Sequence, residues 1–207
     1  DSDIVPITDY EAVRQTKVYE ITRARGPVRL DGVFDEQAWE GVQVEAEFFQ
    51  VEPGRGVPAV DQTEIRLVYD DDNIYVAIRM HQSGPIITSS LQRDFNPPGD
   101  GDIVAIMFDP FDSDRDGFFF QANPGGAKRD QQTSGGIRSN EWDGVYDVAT
   151  EIDDTGWYAE FAVPFKTLRF DESNPEQRWG FNALRIARYS NEWTMWTPAR
   201  RPYNIFN

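Results

Sequence analysis

Between Asp102 and Asp130 the chain reads DIVAIMFDPFDSDRDGFFFQANPGGAKRD, and this stretch narrows the possible folds most. A continuous apolar run from Ile103 to Phe108 breaks into an acidic turn, Asp109 to Asp116, and returns as a second run from Phe118 to Ala122. The bounding Pro110, Gly117 and Pro124, with the aromatic enrichment, favour two buried strands over a buried helix. A charged loop joining two buried strands is the simplest reading.

The rest of the chain repeats that pattern. In Thr63 to Met80, Ile65, Leu67 and Tyr69 alternate with Glu64, Arg66 and Val68; after the turn Asp70-Asp71-Asp72-Asn73, Ile74, Val76, Ile78 and Met80 alternate with Tyr75, Ala77 and Arg79. Period two of this kind marks a hairpin with one apolar face. Val145–Ile152 and Trp157–Val163 predict another hairpin, and Trp179–Arg188 and Trp193–Thr197 predict two final strands. Val18–Ala24 and Ala46–Val51 are further strand candidates. One short helix is expected near residues 35–40, capped by Asp35 with Ala38 and Trp39 inward. Gly84–Gly101 and Gln131–Glu141 read as loop, and residues 1–17 as an N-terminal arm without a clean period. The expectation is an all-β, antiparallel sandwich forming one domain over residues 18–207. Both ends read as cuts made in a longer chain.

Charge narrows the partners. With 20 Lys+Arg against 36 Asp+Glu, the net charge of -16 repels phosphate backbones and anionic lipid surfaces, which argues against nucleic acid. Neutral sugars, cations and proteins stay open. Cysteine is absent and histidine occurs once, at His81, so disulfides, thiol chemistry and His-rich zinc sites are excluded. His81 reads as a surface residue at a strand end, with a haem ligand as the sharper alternative. No GxSxG, Walker loop or GxGxxG is present, so no catalytic residue is assigned.

Two features carry candidate chemistry. Asp112, Asp114 and Asp116, followed by Gly117, have the spacing of the front half of a calcium loop, without the closing glutamate of an EF-hand. They read either as a structural Ca2+ site or as a solvated acidic hairpin. Aromatic residues form 14% of the chain, and ring faces are the usual means of holding a neutral glycan. Trp39, Trp157 and Trp179 sit in apolar patterns and read as core. Trp142, in SNEWDGVYD, and Trp193 with Trp196 are the binding candidates.

The segments VRLDGVFDEQAW, TEIRLVYDDDNIYVAIRM, DIVAIMFDPFDSDRDGFFFQANPGG, WDGVYDVATEIDDTGWYAEFAVPFKTLRF and WGFNALRIAR, in that order, resemble the family-9 carbohydrate-binding-module fold. The closer likeness is to the branch found at the amino terminus of bacterial outer-membrane-associated proteins. The resemblance implies a β-sandwich, export to the periplasm or cell surface, structural calcium, carbohydrate binding, and a C-terminal outer-membrane β-barrel as partner. In the founding members two tryptophans clamp a terminal sugar. Here Pro97-Pro98-Gly99 occupies the first tryptophan's region, a sugar-binding glutamate falls on Ala105, and an arginine of the next strand falls on Gln121. Trp196 or Tyr203 stands where the second tryptophan is expected. These departures keep three readings in play: a non-catalytic binding module, an interaction domain capping a barrel, and a polysaccharide-acting enzyme with Asp and Glu near the acidic loop as acid and base.

Overall fold

The computed structural model describes residues 6–95 and 101–198. Two β-sheets face each other. The five-stranded sheet runs β1 (Thr22–Arg23), β3 (Thr63–Tyr69), β4 (Asn73–His81), β10 (Gly156–Pro164), β9 (Asp147–Asp153). The seven-stranded sheet runs β2 (Phe49–Glu52), β12 (Glu192–Met195), β11 (Gly180–Ala187), β5 (Ile103–Asp109), β6 (Gly117–Ala122), β7 (Lys128–Ser134), β8 (Ile137–Ser139). All pairings are antiparallel except the short β1–β3 contact. The expected all-β sandwich is what forms.

Alternation decides what lies between the sheets. Ile65, Leu67, Val76, Ile78, Trp157 and Phe161 from one sheet meet Val104, Ile106, Phe108, Phe118, Phe120 and Trp196 from the other. Burial of large side chains at about 25 cal/mol per Å² is the main source of stability here. At one end of this core Arg185 is buried and braces the sheets. Its guanidinium donates to the His81 carbonyl at 2.6 Å, to Thr63 Oγ1 at 3.0 Å and to Gln82 Oε1 at 3.1 Å. The start of β3 and the end of β4 are thereby tied to β11 through one cation, whose forked guanidinium supplies the several donors needed.

The outer face of the five-stranded sheet is not left to solvent. Val68, Tyr75 and Ala77 pack under Trp39, Phe34, Val28 and Val42, so the segment before β2 forms a lid over this sheet. The helix expected near residues 35–40 is a single 3₁₀ turn, Gln37–Trp39, with Ala38 and Trp39 buried as predicted. Asp35 does not cap it; its carboxylate takes Arg29 instead, at 3.1 Å. The amino-terminal segment holds a helix, α1 (Tyr10–Thr16), capped by Asp9 through the Ala12 N–H at 3.0 Å. The Ile7 N–H bonds the Gly56 carbonyl, and Lys17 Nζ reaches Glu47 at 2.8 Å, so the arm is tied to the sandwich. One further helical turn, α2 (Phe165–Leu168), follows β10.

The tract expected to be loop at 131–141 is instead the β7–β8 hairpin, closed by Gly135 and Gly136, both at positive φ. A two-residue turn with positive φ at both positions matches the right-handed twist of the flanking strands, and glycine adopts it without strain. Among the described residues no helix is long and apolar enough to cross a membrane.

Candidate functional site

The outer face of the seven-stranded sheet carries the residues that alternate with the core. Cross-strand register lays them out in rows. One row runs Arg129, Gln121, Ala105, Leu184, Met195; the next runs Gln131, Phe119, Met107, Asn182. Ala105 and Gln121, the positions that the family likeness associates with sugar contacts, are therefore direct cross-strand neighbours. Direct neighbours of this kind have Cβ atoms about 5 Å apart.

A ladder of amides crosses β6 and β7 and ends at Asn140, the residue after β8. Gln121 Nε2 donates to Gln131 Oε1 at 3.1 Å, and Gln131 Nε2 donates to Asn140 Oδ1. Arg129 adds a second donor to Asn140 Oδ1 at 3.2 Å. The Arg138 guanidinium lies 4.4 Å from the centre of the Phe119 ring and covers it from above. Partial burial lowers the Arg129 pKa from its usual range, against the pull of Asp94 and Asp130. Gln131 uses both ends of its amide inside the chain, whereas Gln121 uses its nitrogen and Asn140 its oxygen, which leaves the Gln121 oxygen and the Asn140 nitrogen as the ends not engaged by the ladder. The arrangement suits a polyhydroxylated, uncharged partner.

Of the predicted ligand residues that are described, Gln121 and Trp193 share this face. Trp193 is half-buried beside Leu184, Val51 and Met195. It sits three strands from Gln121, about 14 Å at the usual strand spacing. Trp196 points the other way. It is 2% exposed in the core, its ring 5.8 Å from Phe181 and its Nε1 donating to Glu45 at 3.3 Å. Trp142 is half-buried at the open edge of the core, its ring 5.1 Å from Phe118 and 5.8 Å from Phe120. The four of the five predicted ligand residues that are described, Gln121, Trp142, Trp193 and Trp196, therefore do not converge on one site. Tyr203, like Pro97-Pro98-Gly99, lies outside the described residues.

The acidic turn is organised by a residue the sequence did not mark. Asp109, 1% exposed, accepts from the backbone N–H groups of Ser113 and Asp114 at 2.7 Å each and of Phe111 at 3.1 Å, and from the Ser113 hydroxyl at 3.2 Å. Asp112, Asp114 and Asp116 point to different partners. Asp112 faces Arg178 at 3.7 Å, Asp114 faces Arg14 at 3.9 Å, and Asp116 accepts from the Gly135 N–H at 2.6 Å. Asp112 and Asp114 sit at φ 48° and 57°, a left-handed conformation that aspartate tolerates better than most side chains. Backbone geometry thus accounts for acidic residues at two of the three positions. Among the described residues no three acidic or histidine side chains gather as a metal-binding group. His81 is engaged by Glu64, Nε2 to Oε1 at 3.2 Å.

Sequence reasoning missed Arg129, Gln131, Arg138 and Asn140. The Gly135-Gly136 pair was the available signal, since two glycines between short runs mark a hairpin even when the runs are polar.

A two-sheet antiparallel sandwich with a row of side-chain amides on one outer face defines a β-sandwich module. The chain belongs to the carbohydrate family 9 binding domain-like family, which matches residues 30–195. Solved structures share the fold. A Bacteroides uniformis ATCC 8492 protein assigned as carbohydrate-binding superposes with TM-score 0.58 at 11% identity, over 76% of this chain and 78% of that one. A carbohydrate binding module of family 9 from Caldicellulosiruptor kristjanssonii is similar in two complexes. With glucose the TM-score is 0.55 at 14% identity, over 85% of this chain and 84% of that one. With cellotriose it is 0.54 at 14% identity, over 84% and 82%. At these identities the likeness is one of fold. No curated protein matches the chain by sequence.

Proposed function

We propose that the chain is a non-catalytic carbohydrate-binding module whose floor is the outer face of β5, β6, β7 and β8. The observation that carries the reading is the amide ladder Gln121–Gln131–Asn140, with Arg129 joined to it. It groups side-chain amides and a guanidinium on one face, with Gln121 and Gln131 each 6% exposed, and polar groups of this kind pair with sugar hydroxyls. Family membership supports the same ligand class. The carboxylates that burial raises lie elsewhere: Glu160 lies under the 31–39 segment, Asp130 accepts from the Gly144 N–H, Glu192 accepts from the Val60 N–H, and Asp114 lies in the acidic turn facing Arg14. Their positions support binding rather than acid–base chemistry on this face. The exported setting and the C-terminal barrel partner belong to the same proposal and rest on the order of the family-like motifs.

A second reading, an interaction domain seated on such a barrel, is favoured by Ala105, which leaves Gln121 without a carboxylate neighbour in its row. A thermal-shift screen against neutral oligosaccharides separates the two, because a ligand that binds only the folded state raises the melting temperature by mass action. The binding module predicts a concentration-dependent rise with a neutral oligosaccharide. No rise with any sugar of a broad panel, together with capture of the barrel segment, would establish the interaction domain instead.

A further inference from the structure

We infer that the cleft between the 142–145 loop and α2 is a second binding site, specific for a carboxylated sugar of the hexuronate class. Its walls are Trp142, Asp143, Gly144 and Val145 on one side and Lys166, Thr167 and Arg169 on the other. It opens at the edge of the core where Trp142 packs on Phe118 and Phe120. The amide-ladder face points outward from the seven-stranded sheet, so the two sites are separate.

The two walls are tied together and held from behind. Thr167 Oγ1 donates to the Val145 carbonyl at 2.8 Å, which pins α2 to the loop. The Gly144 N–H donates to the buried carboxylate of Asp130 at 2.5 Å, and Arg93 joins that carboxylate at 2.7 Å. Gly144 also lets the indole lie on the backbone, since a Cβ there would come within 2.5 Å of the Trp142 ring. The ring is thus fixed in place before any ligand arrives. A preformed aromatic wall spares the ligand the ordering cost of binding.

Charge sets the ligand class. In a chain of net charge -16, Lys166 and Arg169 are both exposed on one cleft, and among the described residues neither forms an ion pair. Asp143, the acid on the opposite wall, is drawn to Arg93. Two uncommitted cations beside a fixed indole match a ring with an apolar C–H face and a carboxylate at its edge. Arginine holds a carboxylate with a planar fork and lysine adds a mobile point charge. A neutral sugar would satisfy the indole and leave both cations idle.

The test is calorimetric titration of the whole chain with a galacturonate trisaccharide, with cellotriose as the neutral contrast. The variant is Lys166→Gln combined with Arg169→Asn, asparagine being chosen because Arg169 sits at φ 47°. Expected are binding of the galacturonate trisaccharide, weakening as salt is raised, and a loss of about tenfold or more in the double variant. Gln121→Ala is expected to leave that binding unchanged. The double variant is expected to melt as the wild type does and to leave any cellotriose binding unchanged. Failure of the wild type to bind the acidic trisaccharide, or undiminished binding by the double variant, would overturn the assignment. Loss of cellotriose binding alone, in Gln121→Ala, concerns the amide-ladder face and leaves this site standing.

Discussion

Trp39 Nε1 donates to Glu160 Oε1 at 3.1 Å across 121 residues of sequence. The same carboxylate accepts from the backbone N–H groups of Asp31 at 3.1 Å and Gly32 at 3.0 Å through Oε2. Glu160 is fully buried on the outer face of the five-stranded sheet, so one side chain anchors both the Asp31-Gly32 turn and the 3₁₀ turn. Gly32 is required there, at φ 84° and with Glu151 N only 3.0 Å from where a Cβ would stand. The motif DGVFDEQAW is therefore a clamp for the segment that covers this sheet.

Glu160 should make stability depend on pH. Burial raises its carboxyl from 4.5 to about 7, opposed by the three donors and helped by the nearby charge of Glu36. The folded chain keeps this proton where the unfolded chain has released it. The stability it brings is fully present below about pH 4.5 and is lost as pH rises to about 7. Glu160→Gln removes the titration, so the gap in melting temperature between wild type and variant is expected to narrow across that window. A gap that stays constant or widens would contradict the assignment.

Trp39→Phe keeps the ring volume and removes the N–H. A loss of about 1–3 kcal/mol is expected in urea unfolding, because a buried carboxyl acceptor loses one of its donors. Stability unchanged within about 0.5 kcal/mol would mean that Trp39 acts by packing alone.

For the acidic turn, Asp109→Ala is expected to cost about 2–4 kcal/mol, since several donors to a buried carboxylate lose their acceptor. Asp112→Asn should stay within about 0.5 kcal/mol, because asparagine tolerates the left-handed backbone and the lost contact with Arg178 is exposed. Melting curves in calcium and in chelator are expected to coincide. A calcium-dependent rise that Asp112→Asn abolishes would place an ion on the turn and displace the Asp109 account.

Trp196→Ala should destabilise by about 3–5 kcal/mol, as removal of a fully buried indole leaves a cavity between the sheets. Trp193→Ala, on the half-buried outer face, should cost clearly less. Equal losses in denaturant unfolding would contradict the placement of these two rings on opposite faces.

Where one face of a strand is apolar, the sequence announces it. Ile74, Val76, Ile78 and Met80 alternate because the sheet face alternates, and the β3–β4 hairpin is readable from that alone. The β7–β8 hairpin is not, because its outward row is Arg129, Gln131 and Thr133 and its inward row includes Asp130, satisfied by Arg93 and Gly144. Polar residues on both faces erase the period. The helix α1 is silent for a related reason: none of its side chains is fully buried, so no apolar stripe is needed. Trp193 and Trp196 show the limit for site residues. Three positions apart at the chain's last described strand, they look alike in sequence, yet one joins the outer face and the other the core. The amide ladder was hidden because its members come from β6, β7 and the residue after β8, the last two in the tract without a period.

The central claim is that a neutral sugar sits on the Gln121–Gln131–Asn140 face. Side-chain amide protons of glutamine and asparagine are visible in two-dimensional nitrogen–proton NMR spectra, so titration of the isotope-labelled chain with cellotriose reads this ladder directly. The account predicts saturable shifts of the Gln121, Gln131 and Asn140 side-chain amides, lost in Gln131→Ala while the rest of the spectrum keeps its dispersion. No shifts in the millimolar range, or shifts confined to residues of the five-stranded sheet, would contradict it.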